Sequence, residues 1–352
     1  MKKSLKQMLT AASVALLGFG LVPSITSVQA QDNKIIVYTN SLDDTKREWL
    51  DAKVAEAGFN VEYVIAGGGE TFDRLMAEKN DVQADVVIGM DEGSFAQLHA
   101  ENLLAPWDPS WKGDLVPELV KGDGYYYPWA EQRIFAFYDA NQLSADQVPT
   151  SLDEIGTTAE LAGKYLVPND FGRSTNQKLI MSILLNHLDE AGEYGVSEEG
   201  WQAVADFIAN AHILGESEEK FALIADQVTP ISFHFSGGIP AGEEEFGFKA
   251  VPINPEGGVF TMAEQVGIMN KGEDHDYTNA KAFAEWWGSE EVQRGWVETF
   301  GSVPANQKVQ DAVNPRVLEL LDQTDRMDVN WDVINQHLAD WVEKIELELM
   351  PF

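Results

Sequence analysis

The 352-residue chain has no cysteine. That absence excludes a disulfide framework, thiolate metal sites and lipid attachment at an N-terminal cysteine. Basic residues are scarce: 24 Lys and Arg stand against 58 Asp and Glu, a formal net charge of −34. A field of that sign repels nucleic acid and anionic lipid, so neither is an expected partner. Bulk charge says little about a ligand, because salt screens it beyond roughly 10 Å and a pocket's local charges decide. The six histidines form no H-x-x-x-H or H-E-x-x-H pair, and the chain has no G-x-S-x-G elbow, Walker A loop or G-x-G-x-x-G turn. The expectation is therefore no enzyme, no catalytic residue, no metal and no cofactor. A secreted hydrolase with scattered catalytic acids is the alternative from a different class.

Near the N-terminus the apolar run Ala11 to Val22 is too short to span a membrane comfortably. It follows Met1-Lys2-Lys3 and precedes Val28-Gln29-Ala30, so residues 1–30 read as a cleavable secretory signal, with the mature protein starting near Gln31. A cysteine-free, unanchored, exported chain is expected in the periplasm of a two-membrane bacterium, with free secretion as the alternative.

What is present is ample apolar material: 44% hydrophobic residues, with ten Trp and seventeen Phe, enough for cores in two domains. Lys34 to Tyr38, Asn60 to Val64 and Ala84 to Ile88 read as short strands. Each is followed by a loop and a helix pattern, at Asp44 to Ala57, Thr71 to Glu78 and Ser94 to Ala100. Repeated strand–loop–helix units predict a doubly wound α/β sheet whose ligands sit beyond the carboxyl ends of the strands. Ser41, three residues before Asp44, has the spacing of a capping box on the first helix.

Two long apolar stretches, Arg133 to Tyr138 and Val259 to Met269, bracket a second α/β block. The chain is thus expected to leave one lobe, build another and return. The expected organisation is residues 31–133 with 264–352 in lobe 1, residues 134–263 in lobe 2, and two hinge strands between them. A ligand held between lobes stabilises the closed form through contacts that only that form makes.

Several stretches together resemble the extracellular solute-binding proteins of bacterial ABC importers. These are Ile35 to Ser41, Gln83 to Gly89, Leu103-Leu104-Ala105-Pro106, Ala280 to Gln293 and Val303-Pro304-Ala305-Asn306. The resemblance is to the type II periplasmic-binding-protein fold, in the branch that binds ferric iron, phosphonates and sugar phosphates. It implies a monomeric two-lobed clamp that delivers a small molecule to an ABC permease in the inner membrane. One departure matters. Ferric-binding relatives carry adjacent tyrosines in the second lobe, and the corresponding stretch here is Ser232-Phe233-His234-Phe235-Ser236-Gly237-Gly238. Phenylalanine offers a hard cation no oxygen.

The candidate ligand contacts follow from these placements. Gly172, Arg173, Ser174 and Thr175 open a helix, where free N–H groups and a guanidinium fork suit a phosphate, phosphonate or carboxylate. An ordinary capped helix with a surface arginine has the same sequence. Gly68 and Gly69 can bring backbone N–H groups close to an anion, or form a plain turn. Asn40, Ser41, Asp91, Trp129, Arg133, His234 and Glu264 complete the set, each with a packing or ion-pairing alternative. An anionic or zwitterionic, phosphorus-containing solute leads. Ferric iron, and a polyamine or other organic cation held by carboxylates and Trp129, are the alternatives.

Overall fold

The structure, a computed structural model, describes residues 34–171 and 174–351. The expected signal, residues 1–30, lies outside them, as do Gly172 and Arg173. In chain order the first elements are β1 (Lys34–Thr39), α1 (Asp44–Ala57), β2 (Asn60–Ile65), α2 (Gly68–Ala77), β3 (Val86–Gly89), α3 (Glu92–Ala100), β4 (Leu104–Ala105) and β5 (Tyr126–Asp139). A middle block contains α4 (Leu152–Thr157), β6 (Leu166–Val167), α5 (Ser174–Leu184), β7 (Leu188–Glu193), α6 (Glu198–Ala209), β8 (His212–Ile213), α7 (Lys220–Ala225), β9 (Ile231–Phe235), α8 (Ile239–Phe246) and β10 (Ala250–Pro252). The chain ends with β11 (Phe260–Met269), α9 (Thr278–Trp287), α10 (Glu290–Phe300), β12 (Val303–Pro304), α11 (Pro315–Leu321) and α12 (Trp331–Lys344).

The parallel β2-β1-β3 ladder, with a helix after each strand, is the doubly wound unit expected from the pattern. β11 joins its edge antiparallel to β3, and β5 pairs antiparallel with β11 over most of its length. The far half of β5 then pairs with β9 and β10. β5 and β11 therefore carry one sheet from the first block of the chain into the second.

The cores change along these two strands. Tyr127, Trp129 and Ala130 pack with Val37, Leu50 and Trp296, whereas Ile134, Ala136 and Tyr138 pack with Leu179, Val204 and Phe207. On β11 the change falls between Met262 and Ala263. Polar residues Glu131, Gln132 and Arg133 occupy the crossing on β5, where the chain passes from one apolar body to the other. The tail departs from the expected partition. Met327, Ile334, Trp341 and Ile345 join the second core, not the first. The apolar stripe of α12 at helical spacing needs a surface to cover: Leu338, Trp341 and Val342 face Ile180, Met181 and Leu184 of α5, while Trp331 at the helix start lies against Gly93 of α3.

Local capping also differs from expectation at one informative place. α1 is capped by Asp43, whose carboxylate accepts the Lys46 N–H at 2.9 Å, and not by Ser41. Gly58, in left-handed conformation, closes the helix as its position suggests. Gly68 and Gly69 are the first residues of α2 instead of a preceding loop, and the Gly67 cap offers the helix no side chain.

Candidate functional site

The loop after β1 meets the end of β3 at close range. Gly89 has φ +98°, and a Cβ there would lie 2.0 Å from Asn40 Oδ1, so only glycine fits. Asn40 Oδ1 accepts the Met90 N–H at 2.7 Å, and Met90 itself has φ +49°, an uncommon conformation for a side-chain-bearing residue. Freed from capping, the Ser41 hydroxyl turns toward β11 and donates to Glu264 Oε2 at 2.7 Å.

Glu264 sits at a bulge in the β5–β11 ladder, where the register shifts between Glu264 and Gln265. The Gln132 side-chain amide donates to its other carboxylate oxygen. Burial raises the Glu264 carboxyl above its ordinary range, and the Ser41 hydrogen bond, the Lys46 charge and the Gln132 hydrogen bond offset only part of that. No cation touches it directly among the described residues.

Glu264 and Ser41 line a cavity of about 290 Å³. Trp129, Trp296, Phe235 and Phe300 form its aromatic walls, and Ser174 and Thr175 at the start of α5 close one side. Among the described residues Lys46 is the lysine on its wall, with its ammonium 3.5 Å from the exposed Asp43 carboxylate. Gly237 and Gly301, from opposite sides of the β5–β11 crossing, approach so closely that a Cβ on Gly237 would be 2.8 Å from the Gly301 carbonyl oxygen. A larger cavity of about 1070 Å³ shares Asn40, Ser174 and Met262 with the first. Gly68, Gly69 and Asp91 line it from one core, Lys178 and α12 from the other.

Nine of the thirteen candidate contacts thus border one of two cavities that share lining residues. Asn40, Ser41, Trp129, Ser174, Thr175 and Glu264 face the smaller one; Gly68, Gly69 and Asp91 face the larger. Two candidates are occupied elsewhere. Arg133 donates to Glu131 at 2.8 Å and, through Nη1, to the Leu321 and Thr324 carbonyls at 2.9 and 2.6 Å. It locks the tail to β5, because a buried guanidinium must spend its donors on whatever acceptors surround it. His234 lies behind the cavity wall, with Nδ1 2.7 Å from the Lys220 ammonium. Burial lowers Lys220 to about 8, and burial with the Lys220 charge holds His234 well below the usual histidine range. Gly172 and Arg173 are outside the described residues.

Three contributors escaped the sequence. Lys46 looks like a surface lysine in the first turn of α1, and Lys178 is an isolated lysine in an apolar helix. Trp296 reads as one more core aromatic. Only the arrival of α1 and α10 at the smaller cavity and of α5 at both distinguishes them, and no local spacing encodes that.

Comparison with known proteins fits this geometry. Residues 48–317 match the family model of the bacterial extracellular solute-binding proteins. The Sinorhizobium fredii (strain NBRC 101917 / NGR234) protein y4fP, named a probable ABC transporter periplasmic-binding protein, is 31% identical over 301 residues, covering 86% of this chain and 82% of that protein. Iron-bound HitA from Pseudomonas aeruginosa superposes with a TM-score of 0.71 at 15% identity, covering 89% of this chain and 99% of that one. FutA (IdiA) of Trichodesmium, in complex with iron and citrate ligands, gives 0.67 at 18% identity, covering 89% and 98%. The fold is that of the two-lobed periplasmic binding proteins, in which the paired passages β5 and β11 are the hinge strands. With two cavities at that hinge and the family match over most of its length, the chain belongs to the bacterial extracellular solute-binding proteins and is the solute-binding component of an ABC transporter, not an enzyme.

Proposed function

We propose that this protein captures a small zwitterionic solute in the cleft, an aminophosphonate or a similar amine-bearing anion, and presents it to a membrane permease from the periplasm. The observation that carries the proposal is Glu264. A cavity-facing carboxylate with only neutral direct partners is costly to bury, and a ligand ammonium compensates it. In the same cavity Ser174 and Thr175 at the start of α5, together with Lys46, supply donors and positive potential for an anionic end. The Trp129 and Trp296 rings, packed edge to face at 5.6 Å, give the ligand's carbon skeleton one apolar wall. We place the lobe boundaries where the cores change: residues 34–130 with 263–317 in one lobe, 134–262 with 320–350 in the other. Residues 1–30 would serve as the export signal.

Calorimetry with matched probes tests this. 2-Aminoethylphosphonate should bind more tightly than ethylphosphonate, which lacks the amine, and more tightly than putrescine, which lacks the anion. Equal or stronger binding of either single-charge probe overturns the zwitterion assignment. Ferric iron is the second candidate, favoured by the iron-bound neighbours HitA and FutA. Against it, Phe235 of β9 lines the cavity while Phe233 is buried in the second core, and among the described residues no group of three or more His, Cys, Asp or Glu could hold a metal ion. Saturable uptake of iron supplied as ferric citrate, with the iron retained on desalting, would install that reading instead.

A further inference from the structure

We infer that Asp91 and Lys178 form a clasp across the cleft and act as positioning residues that set how far the start of α5 stands from the Asn40–Ser41 loop. Asp91 caps α3, accepting the Ser94 N–H at 3.0 Å and the Ser94 hydroxyl at 2.9 Å, so its carboxylate is fixed to the first core. Lys178 lies on α5, packed in the second core. Its ammonium reaches Asp91 Oδ2 at 3.2 Å. The pair joins residues 87 positions apart in sequence, and both line the larger cavity.

The surroundings make this contact consequential. The Lys178 side chain is 3% exposed, and its ammonium lies 5.6 Å from the centre of the Trp331 ring and 5.8 Å from that of Phe260. Drawing the lobes apart would leave that cation among aromatic rings without its carboxylate, a state buried charges strongly resist. Burial alone would favour a neutral Asp91. Lys178 and the Ser94 donors outweigh burial and hold the carboxyl below its ordinary range, so the pair is ionic.

α12 reinforces the same closure. Asn335 donates to the Gly93 carbonyl at 3.1 Å, two residues beyond Asp91, while Trp341 of the same helix belongs to the second core. Ser174 and Lys178 are one helical turn apart on α5, so fixing the lysine fixes the helix start that borders the smaller cavity. The clasp therefore governs the width of the ligand site without touching the ligand there. The inference rests on the cleft being the binding site, but its test needs no ligand.

Because the chain has no cysteine, two can be introduced cleanly, at exposed Glu48 on α1 and Gln202 on α6, and spin-labelled. Pulsed electron-resonance distances on the full mature chain then report lobe separation. Asp91→Asn keeps the α3 cap and removes the charge; Lys178→Met keeps the volume and removes the cation. Both should move the distribution to longer distances by more than about 2 Å, and Lys178→Arg should retain the parent distance. An unchanged distribution in Asp91→Asn overturns the clasp. So does a shift in Lys178→Arg as large as that in Lys178→Met. If Lys178→Met fails to fold, Asp91→Asn still decides. Failure of the parent protein to bind 2-aminoethylphosphonate would remove the ligand assignment and leave this result standing on its own.

Discussion

Glu131 on β5 and Glu264 on β11 border the same small cavity from adjacent strands, yet their surroundings are opposite. Glu131 meets Arg133 at 2.8 Å and Arg326 at 2.7 Å. Burial opposes its ionisation, but the two guanidiniums prevail and hold it below the ordinary carboxylate range. Glu264 has a hydroxyl and an amide, and burial leaves it raised. A carboxylate whose charge is already balanced by protein cations belongs to the architecture. One left to neutral donors at a cavity wall waits for a partner from outside.

Glu131→Gln tests the architectural half and carries the largest expected effect. It leaves the buried Arg133 without its counter-charge, a loss of about 3–5 kcal/mol of stability, visible as a lower denaturation midpoint. A midpoint within error of the parent would show that the backbone carbonyls of Leu321 and Thr324 suffice for Arg133.

A third carboxylate extends the contrast. Glu92, in the first turn of α3, accepts the Ala263 N–H at 2.8 Å with one oxygen, while the other is buried without a partner. Burial, far more than the nearby Asp91 charge, pushes it to about 8. Because its folded value exceeds the unfolded one, the native state binds the extra proton. Its contribution is then fully present below about pH 4.5 and is lost as pH rises through about 8. Between those limits the loss should reach a few kcal/mol. In Glu92→Gln that component of the pH dependence should vanish, raising stability at pH 8 relative to the parent. Parallel stability–pH curves for the two proteins would count against it.

The ligand-facing half is tested by Glu264→Gln, which keeps the shape and removes the charge. Affinity for 2-aminoethylphosphonate should fall about 30-fold, near 2 kcal/mol, with stability little changed. A loss of stability without loss of affinity would reverse the roles assigned to the two glutamates. Ser41→Ala is the smallest perturbation. Removing one donor to Glu264 should weaken the same probe about fivefold, close to 1 kcal/mol, measured by calorimetry.

The fold was largely legible along the chain. Lys34 to Ser41 shows its strand and loop because β propensity, a polar break and a helix pattern follow one another within a few residues, and β5 and β11 stand out as long apolar strands. The site was legible only in part. Ser41 has the spacing of a helix cap, but Asp43 lies closer to the free N–H groups of α1 and takes that role, which leaves the hydroxyl for Glu264. Arg133 has the chemistry of an anion ligand, and only the arrival of Leu321 and Thr324 from the tail turns it inward. The partition of the last helix was likewise hidden, since an apolar stripe such as that of α12 does not say which core it will cover.

The amino-acid sequence determined the alternation of strands and helices, the two hinge passages and the want of phenolate or thiolate ligands in the β9 stretch, because each follows from the identity of neighbouring residues. The tertiary structure decided which charges are balanced and which face the cleft. Glu131 and Glu264 are the same residue type on adjacent strands. Their difference comes from Arg326 and Ser41, which lie 195 and 223 positions away in the chain and become neighbours only when the two cores close around the hinge.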